Sequence, residues 1–186
     1  MAEKKRNDVP SKLVWMDLEM TGLDSDRDVI IEMATLITDI ELNVIAEGPE
    51  IVIQWPNSLF ETMDAWNREH HTNSGLWAKV ISSVISQSEA ETITMDFLKT
   101  HMAPRESPLC GNSIWQDRRF IAKHMKQLDA FLHYRLIDVS TVKLLGKIWY
   151  PNEVGKTNEK KSSHRALDDI KESIAELKTY RGLLFK

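Results

Sequence analysis

Residues 13–24, LVWMDLEMTGLD, place two carboxylates inside a run that otherwise reads as a buried β-strand. Leu13, Val14, Trp15, Met16 and Leu18 suit a core-facing segment, yet Asp17 and Glu19 interrupt them. Residues two apart share a face of a strand, so the two acids project side by side. Like charges held together away from water repel, and something must offset that cost. A divalent cation held by oxygen ligands is the usual offset. The alternative is an edge strand with two solvated acids, and the apolar flanks speak against it.

The chain length of 186 residues suits one domain with a substantial core. Residues 1–12 read as a charged, poorly ordered arm, and residues 13–186 as a single domain. The arm's Lys4, Lys5 and Arg6 could touch nucleic acid, although a plain charged tail explains them as well. Cys110 is the only cysteine, which excludes an internal disulfide and a cysteine-rich zinc site. It fits a reducing compartment, so a cytoplasmic location is expected. No apolar run approaches the ~20 residues of a membrane span, and MAEKKRNDVPSK has no secretory apolar region. The net charge of −4 argues against tracking long nucleic acid, which calls for a basic excess. A nucleic-acid partner of this chain should be short, or gripped by metal ions and a few local groups.

The pattern along the chain predicts strands over 13–24, 29–38 and 45–54, the third broken at Gly48-Pro49, joined as an antiparallel meander. Helical spacing follows over 62–69, 76–85 and 90–101. A short strand at 108–111 leads to a helix over 116–132, with Phe120, Ile121, His124, Met125, Leu128 and Leu132 on one side. Another short strand at 135–139 precedes a helix over 140–149. Residues 151–163 read as a polar loop, and 164–184 as a closing helix with Leu167, Ile170, Ile174 and Leu177 as its stripe. Strands first, then alternating strands and helices, imply an α/β fold with a mixed sheet flanked by helices.

Asp17 and Glu19 cannot fill a coordination sphere alone. In GNSIWQDRRF, residues 111–120, Asp117 falls in the first turn of a helix after a strand, where the helix dipole favours an acid on any account. In SHRALDDIKESIAEL, Asp168, Glu172 and Glu176 run along a face expected to be solvated. Asp169 lies beside the apolar stripe, next to the small Ala166. His164 falls at or before the helix start.

Together, D-x-E on a strand, an Asp at a strand–helix junction and a terminal H-x-A-x-x-D form a specific set. On Asp17, Glu19, Asp117, His164 and Asp169 the chain resembles the DEDD exonuclease superfamily, in its histidine-bearing DEDDh branch. Within it, WMDLEMTGLD, MDAWN, SGLW, GNSIWQDRRF, YRLIDVST and HRALDDIKESI are similar to the oligoribonuclease family, in the same order from about residue 13 to 180. The resemblance implies a ribonuclease H-like, five-stranded mixed sheet. It implies two Mg²⁺ or Mn²⁺ ions held by Asp17, Glu19, Asp117 and Asp169, with His164 as general base. The implied activity is 3′→5′ hydrolysis of RNAs of about two to five nucleotides to 5′-mononucleotides. A DEDDh deoxyribonuclease trimming DNA 3′ ends is the alternative.

Trp66, among polar neighbours, is a candidate base-stacking platform or a partly buried tryptophan. The resemblance favours stacking, and it marks Leu23 as a wedge near the bases and His71 and Ser113 as substrate-backbone contacts. It likewise assigns Tyr134, Arg135, Ser140 and Thr141 to the substrate's 5′ end and counts Tyr134 among the catalytic groups. It implies a homodimer whose partner shares in that end of the site. Asp24, Asp26 and Asp28 imitate the start of an EF-hand loop, but Val29 stands where glycine is needed and Thr35 where glutamate is needed, so calcium is not expected there.

Overall fold

The computed structural model describes residues 10–154 and 165–185. Its centre is a five-stranded sheet in the order β3-β2-β1-β4-β5. Strands β1 (Lys12–Met20), β2 (Ile30–Asp39) and β3 (Val44–Val52) form the expected antiparallel meander. Strands β4 (Leu109–Gly111) and β5 (Leu136–Asp138) add in parallel on the other side of β1. The apolar acid-bearing strand is therefore central, and its flanks are hydrogen-bonded on both edges.

Side chains of β1 alternate between two cores. Val14, Met16 and Leu18 face a cluster built with α3 (Gln87–His101), α4 (Trp115–His124) and α5 (Lys126–Phe131). Leu13 and Trp15 face a second cluster with α6 (Val139–Trp149), α7 (Pro151–Val154) and α8 (Ala166–Leu184). Asp17 and Glu19 continue this second face beyond Trp15, so α8 lies over them. Helices α1 (Ala65–Asn73) and α2 (Leu76–Ser82) close the end of the sheet near β2.

Four local expectations need correction. The single helix over 116–132 is two helices meeting at Met125, whose φ −133 and ψ 72 are not helical. Glu91, on α3, accepts hydrogen bonds from the backbone N–H groups of Gln127 and Leu128, at 2.7 and 2.9 Å, and so caps a new helix start. Gly48-Pro49 does not break β3. Two residues there oppose Thr35 alone, a bulge that accommodates the proline's missing donor. The expected helix over 62–69 straddles a 3₁₀ turn at Asn57–Thr62 and α1, with Asp64 as N-cap accepting from the Asn67 N–H at 2.8 Å. The loop expected at 151–163 begins as helix α7, and its remainder lies outside the described residues, as does the 1–9 part of the arm.

Glu176 is also not on a solvated face. It accepts from Tyr180 Oη at 2.7 Å and Asn112 Nδ2 at 3.2 Å, and pairs with Lys143 at 2.9 Å.

Candidate active site

Asp17 and Glu19 sit near the C-terminal end of β1 on one face, as alternation requires. Asp169 enters from the first turn of α8, directly above them. One carboxylate oxygen from each of the three lies within 4.8 Å of the others. Close approach is possible because the helix starts on Ala166, which is fully buried and leaves no bulk between α8 and β2. Asp117 comes from the first turn of α4 and is buried. Its Oδ1 accepts the Leu18 N–H at 2.9 Å, which fixes the carboxyl against the strand between Asp17 and Glu19. The four acids, spread over 150-odd positions, thus meet at one strand end.

Two of the four are driven toward their neutral forms. Burial pushes the Glu19 carboxyl up to about 8, and Glu32, Asp169 and Asp117 push the same way against Arg165. Burial likewise pushes Asp117 up to about 7, opposed by the Leu18 N–H and reinforced by Asp138. A hard divalent cation suits this donor set, since every candidate ligand is a carboxylate oxygen.

Glu32 and Arg165 were not foreseen. Glu32 stands directly opposite Glu19 in the β1–β2 register and is fully buried. Arg165 donates to it from Nη2 at 2.9 Å and from Nε at 3.2 Å, and reaches Glu50 as well. The Ala166 N–H adds a weaker contact to Glu32 at 3.4 Å. These bonds tie the start of α8, and with it Asp169, to the sheet. The available signal was a lone glutamate inside the apolar run VIIEMATLIT, which a buried charge makes costly unless paired.

Beside the carboxylates lies an open cavity of about 700 Å³, lined among others by Leu23, Arg27, Asp64, Trp66 and Arg119. Leu23 and Trp66 project into solvent there, 70% and 66% exposed, which resolves Trp66 as an open ring and not a buried one. The turn that presents Leu23 is rigid. A Cβ on Gly22 would lie 2.6 Å from the Asp28 carboxyl carbon, and Asp28 Oδ2 accepts the Asp24 N–H at 2.9 Å. Gln116 donates to the Leu23 carbonyl at 2.7 Å, and Arg119 braces Gln116 at 2.9 Å. Asp28 is thereby occupied within the turn of the sequence that imitates an EF-hand.

His71 is 1% exposed. Its Nε2 is 2.9 Å from the Met20 carbonyl, which can only accept, so Nε2 carries the hydrogen. Burial lowers its pKa, keeping the ring neutral. Nδ1 therefore holds a lone pair, and among the described residues no hydrogen-bond donor reaches it.

Ser113, expected to touch the substrate's backbone, and the groups assigned to its 5′ end divide in two. Ser113 and Ser140 meet, Oγ to Oγ at 3.2 Å, at the C-terminal ends of β4 and β5. Ser113 takes a left-handed φ of 51° and donates its N–H to Asp138 at 2.9 Å and to Ser140 Oγ at 3.0 Å. Thr141 follows, exposed, on α6. Tyr134 and Arg135 precede β5, so the length of that strand separates them from the serines. Tyr134 is 74% exposed, with the Arg135 guanidinium over its ring at 5.3 Å. His164 lies outside the described residues.

Comparison with known proteins shows the family and the fold. The RNase_T exonuclease family model matches residues 14–177. The chain is 55% identical over 175 residues to the oligoribonuclease of Marinobacter nauticus, covering 94% of this chain and 97% of that one. It is 56% identical to the oligoribonuclease of Vibrio cholerae over 174 residues, 94% and 96% of the two chains. In fold it is similar to the exonuclease I of Methylocaldum szegediense, with a TM-score of 0.66 at 17% identity. A further exonuclease I structure gives a TM-score of 0.68 at 15% identity. In each case 94% of this chain aligns with 41% of the larger protein, so the match is to a part of it. Among the described residues no helix is long and apolar enough to cross a membrane.

Proposed function

The chain belongs to the oligoribonuclease family of exonucleases, and on that premise we propose that it hydrolyses RNAs of about two to five nucleotides from the 3′ end, releasing 5′-mononucleotides in the cytoplasm. The observation that carries this reading is the convergence of Asp17, Glu19 and Asp169, with donor oxygens within 4.8 Å of one another. The set fits Mg²⁺ or Mn²⁺, and Asp17, Glu19, Asp117 and Asp169 would hold two such ions. When bound, the ions activate the attacking water and stabilise the charge on the leaving oxygen.

The chain's own groups do the rest. Asp117, fixed by the Leu18 N–H, presents its second oxygen without conformational search. Arg165 and Glu32 hold Asp169 at its height above β1. His164 takes the proton from the attacking water, a task suited to an ordinary imidazole. Trp66 stacks a base and Leu23 enters beside it, while the neutral His71 Nδ1 accepts from a ribose hydroxyl of the substrate's backbone.

The 5′ end is best read with a second copy of the chain. Within one chain Tyr134 and Arg135 stand away from Ser113, Ser140 and Thr141. The exposed apolar side chains of α6, among them Leu144, Ile148 and Trp149, supply a face for a homodimer. Tyr134 and Arg135 of one protomer then complete the 5′-phosphate site of the other, and such a cap excludes long RNA. Ile148→Glu should convert the dimer to monomers in sedimentation and lose activity with it; an active monomer would reject this part of the reading.

The decisive experiment is digestion of 5′-labelled RNAs of graded length with Mn²⁺, alongside the matching DNA dinucleotide. Short RNA should be consumed fastest, to mononucleotides. Preference for the DNA dinucleotide would instead assign a DNA 3′-end nuclease.

A further inference from the structure

Glu19 belongs to two donor sets at once. On one side are Asp17 and Asp169. On the other are His70 and His71, with one donor atom each from Glu19, His70 and His71 within 4.8 Å of one another. The first set offers oxygen alone, while the second offers two imidazole nitrogens and one carboxylate.

We propose that Glu19, His70 and His71 form a zinc site, and that filling it withdraws Glu19 from the catalytic carboxylates and stops hydrolysis.

Two imidazoles and a carboxylate are a recurrent three-ligand set for Zn²⁺, which leaves a fourth position for water. Mg²⁺ and Mn²⁺ favour oxygen donors, so the two sets differ in the ion they select although they share a residue. His71 is built as a zinc ligand usually is. Its Nε2–H is held by a backbone carbonyl, that of Met20 at 2.9 Å, which fixes the tautomer and leaves Nδ1 with the lone pair a metal needs. That Nδ1 is buried and meets no hydrogen-bond donor among the described residues, a cost that a ligand would relieve. His70 is oriented by its ring, stacked on Trp66 at 4.7 Å with 9° between planes.

Zinc bonds of about 2.0–2.2 Å bring donors to roughly 3.5 Å apart, inside the 4.8 Å within which the three now lie. Glu19 and His70 are only half-buried and can close on the fixed His71. A Glu19 oxygen committed to zinc is no longer available to an ion held by Asp17 and Asp169. Zinc binding does not depend on the reading of the site as a nuclease, whereas its effect on hydrolysis does.

The test uses the full chain, metal-free and without RNA, titrated with Zn²⁺ against a chromophoric chelator and with Co²⁺ as a spectroscopic stand-in. His70→Phe removes the donor and keeps a ring on Trp66; His70→Gln serves if the first variant folds poorly. Wild type should bind one Zn²⁺ and show the strong visible Co²⁺ bands of a nitrogen-ligated, low-coordinate ion. His70→Phe should bind Zn²⁺ at least tenfold more weakly and lose those bands. Asp169→Asn should leave both within twofold. In Mn²⁺-supported hydrolysis of an RNA dinucleotide, Zn²⁺ should inhibit wild type and do so at least tenfold less well with His70→Phe. Equal zinc affinity, or equal inhibition, in wild type and His70→Phe would overturn the proposal. An inactive wild type with intact, His70-dependent zinc binding would instead reject the nuclease reading and leave the zinc site standing.

Discussion

Glu19 and Glu32 face each other across adjacent strands, yet the molecule treats them in opposite ways. Glu32 is enclosed and has a guanidinium of its own, with two nitrogens of Arg165 in hydrogen-bond contact. Glu19 is surrounded by further acids, and its carboxyl is driven up to about 8. The chain brings its own cation where a charge holds the fold together. Where an ion is to bind, it sets acid beside acid. Two glutamates in neighbouring strands are thus distinguished by the partner each one has, not by residue type.

The contrast breaks most visibly at Arg165. Arg165→Met should cost about 3–5 kcal/mol in urea unfolding, because it strands a buried carboxylate. Adding Glu32→Gln should recover most of the loss. A single variant as stable as wild type would mean that the pair neutralises nothing. Glu19→Gln should do the reverse, cutting kcat/KM on an RNA dinucleotide at least about a hundredfold. Its metal-free Tm near neutral pH should hold or rise, since the cost of keeping that carboxyl protonated is gone; a fall of several degrees would count against the contrast.

The pH dependence sharpens the same point. Glu19 and Asp117 are raised to about 8 and about 7, so their protonated forms favour the fold. Their contribution is complete below the ordinary carboxylate range and is lost as pH rises through those raised values. The metal-free Tm should therefore fall between about pH 5 and pH 8.5, and saturating Mg²⁺ should remove most of the fall. A flat profile without metal would contradict it. The smallest effect belongs to Glu50→Gln. Glu50 meets Arg165 at the half-exposed rim, so its loss should cost less than about 1 kcal/mol in the same urea measurement.

Much of this could be read before any coordinates. The D-x-E spacing put Asp17 and Glu19 on one strand face, and the helix-phase argument put Asp169 beside the apolar stripe and not among the solvated acids. Asp117 was legible only as an acid in a first helical turn; its bond to the Leu18 N–H joins residues 99 apart, which no local pattern encodes. Glu32 and Arg165, 133 apart, were hidden for the same reason. The break at Met125 was invisible because its cause, Glu91, sits on another helix. Glu176 was misjudged because helical phase says which residues share a face but not what is packed against it. Periodicity reports what a segment buries, whereas pairing across the sheet depends on the assembled fold.

The bulge at Gly48-Pro49 has an outward consequence. Strand β3 is the sheet's open border, and an unbroken border strand invites a foreign strand to dock along it. Here the regular row of backbone donors is interrupted midway, at a residue that has none to give. The molecule can expose that margin at working concentrations without templating its own aggregation.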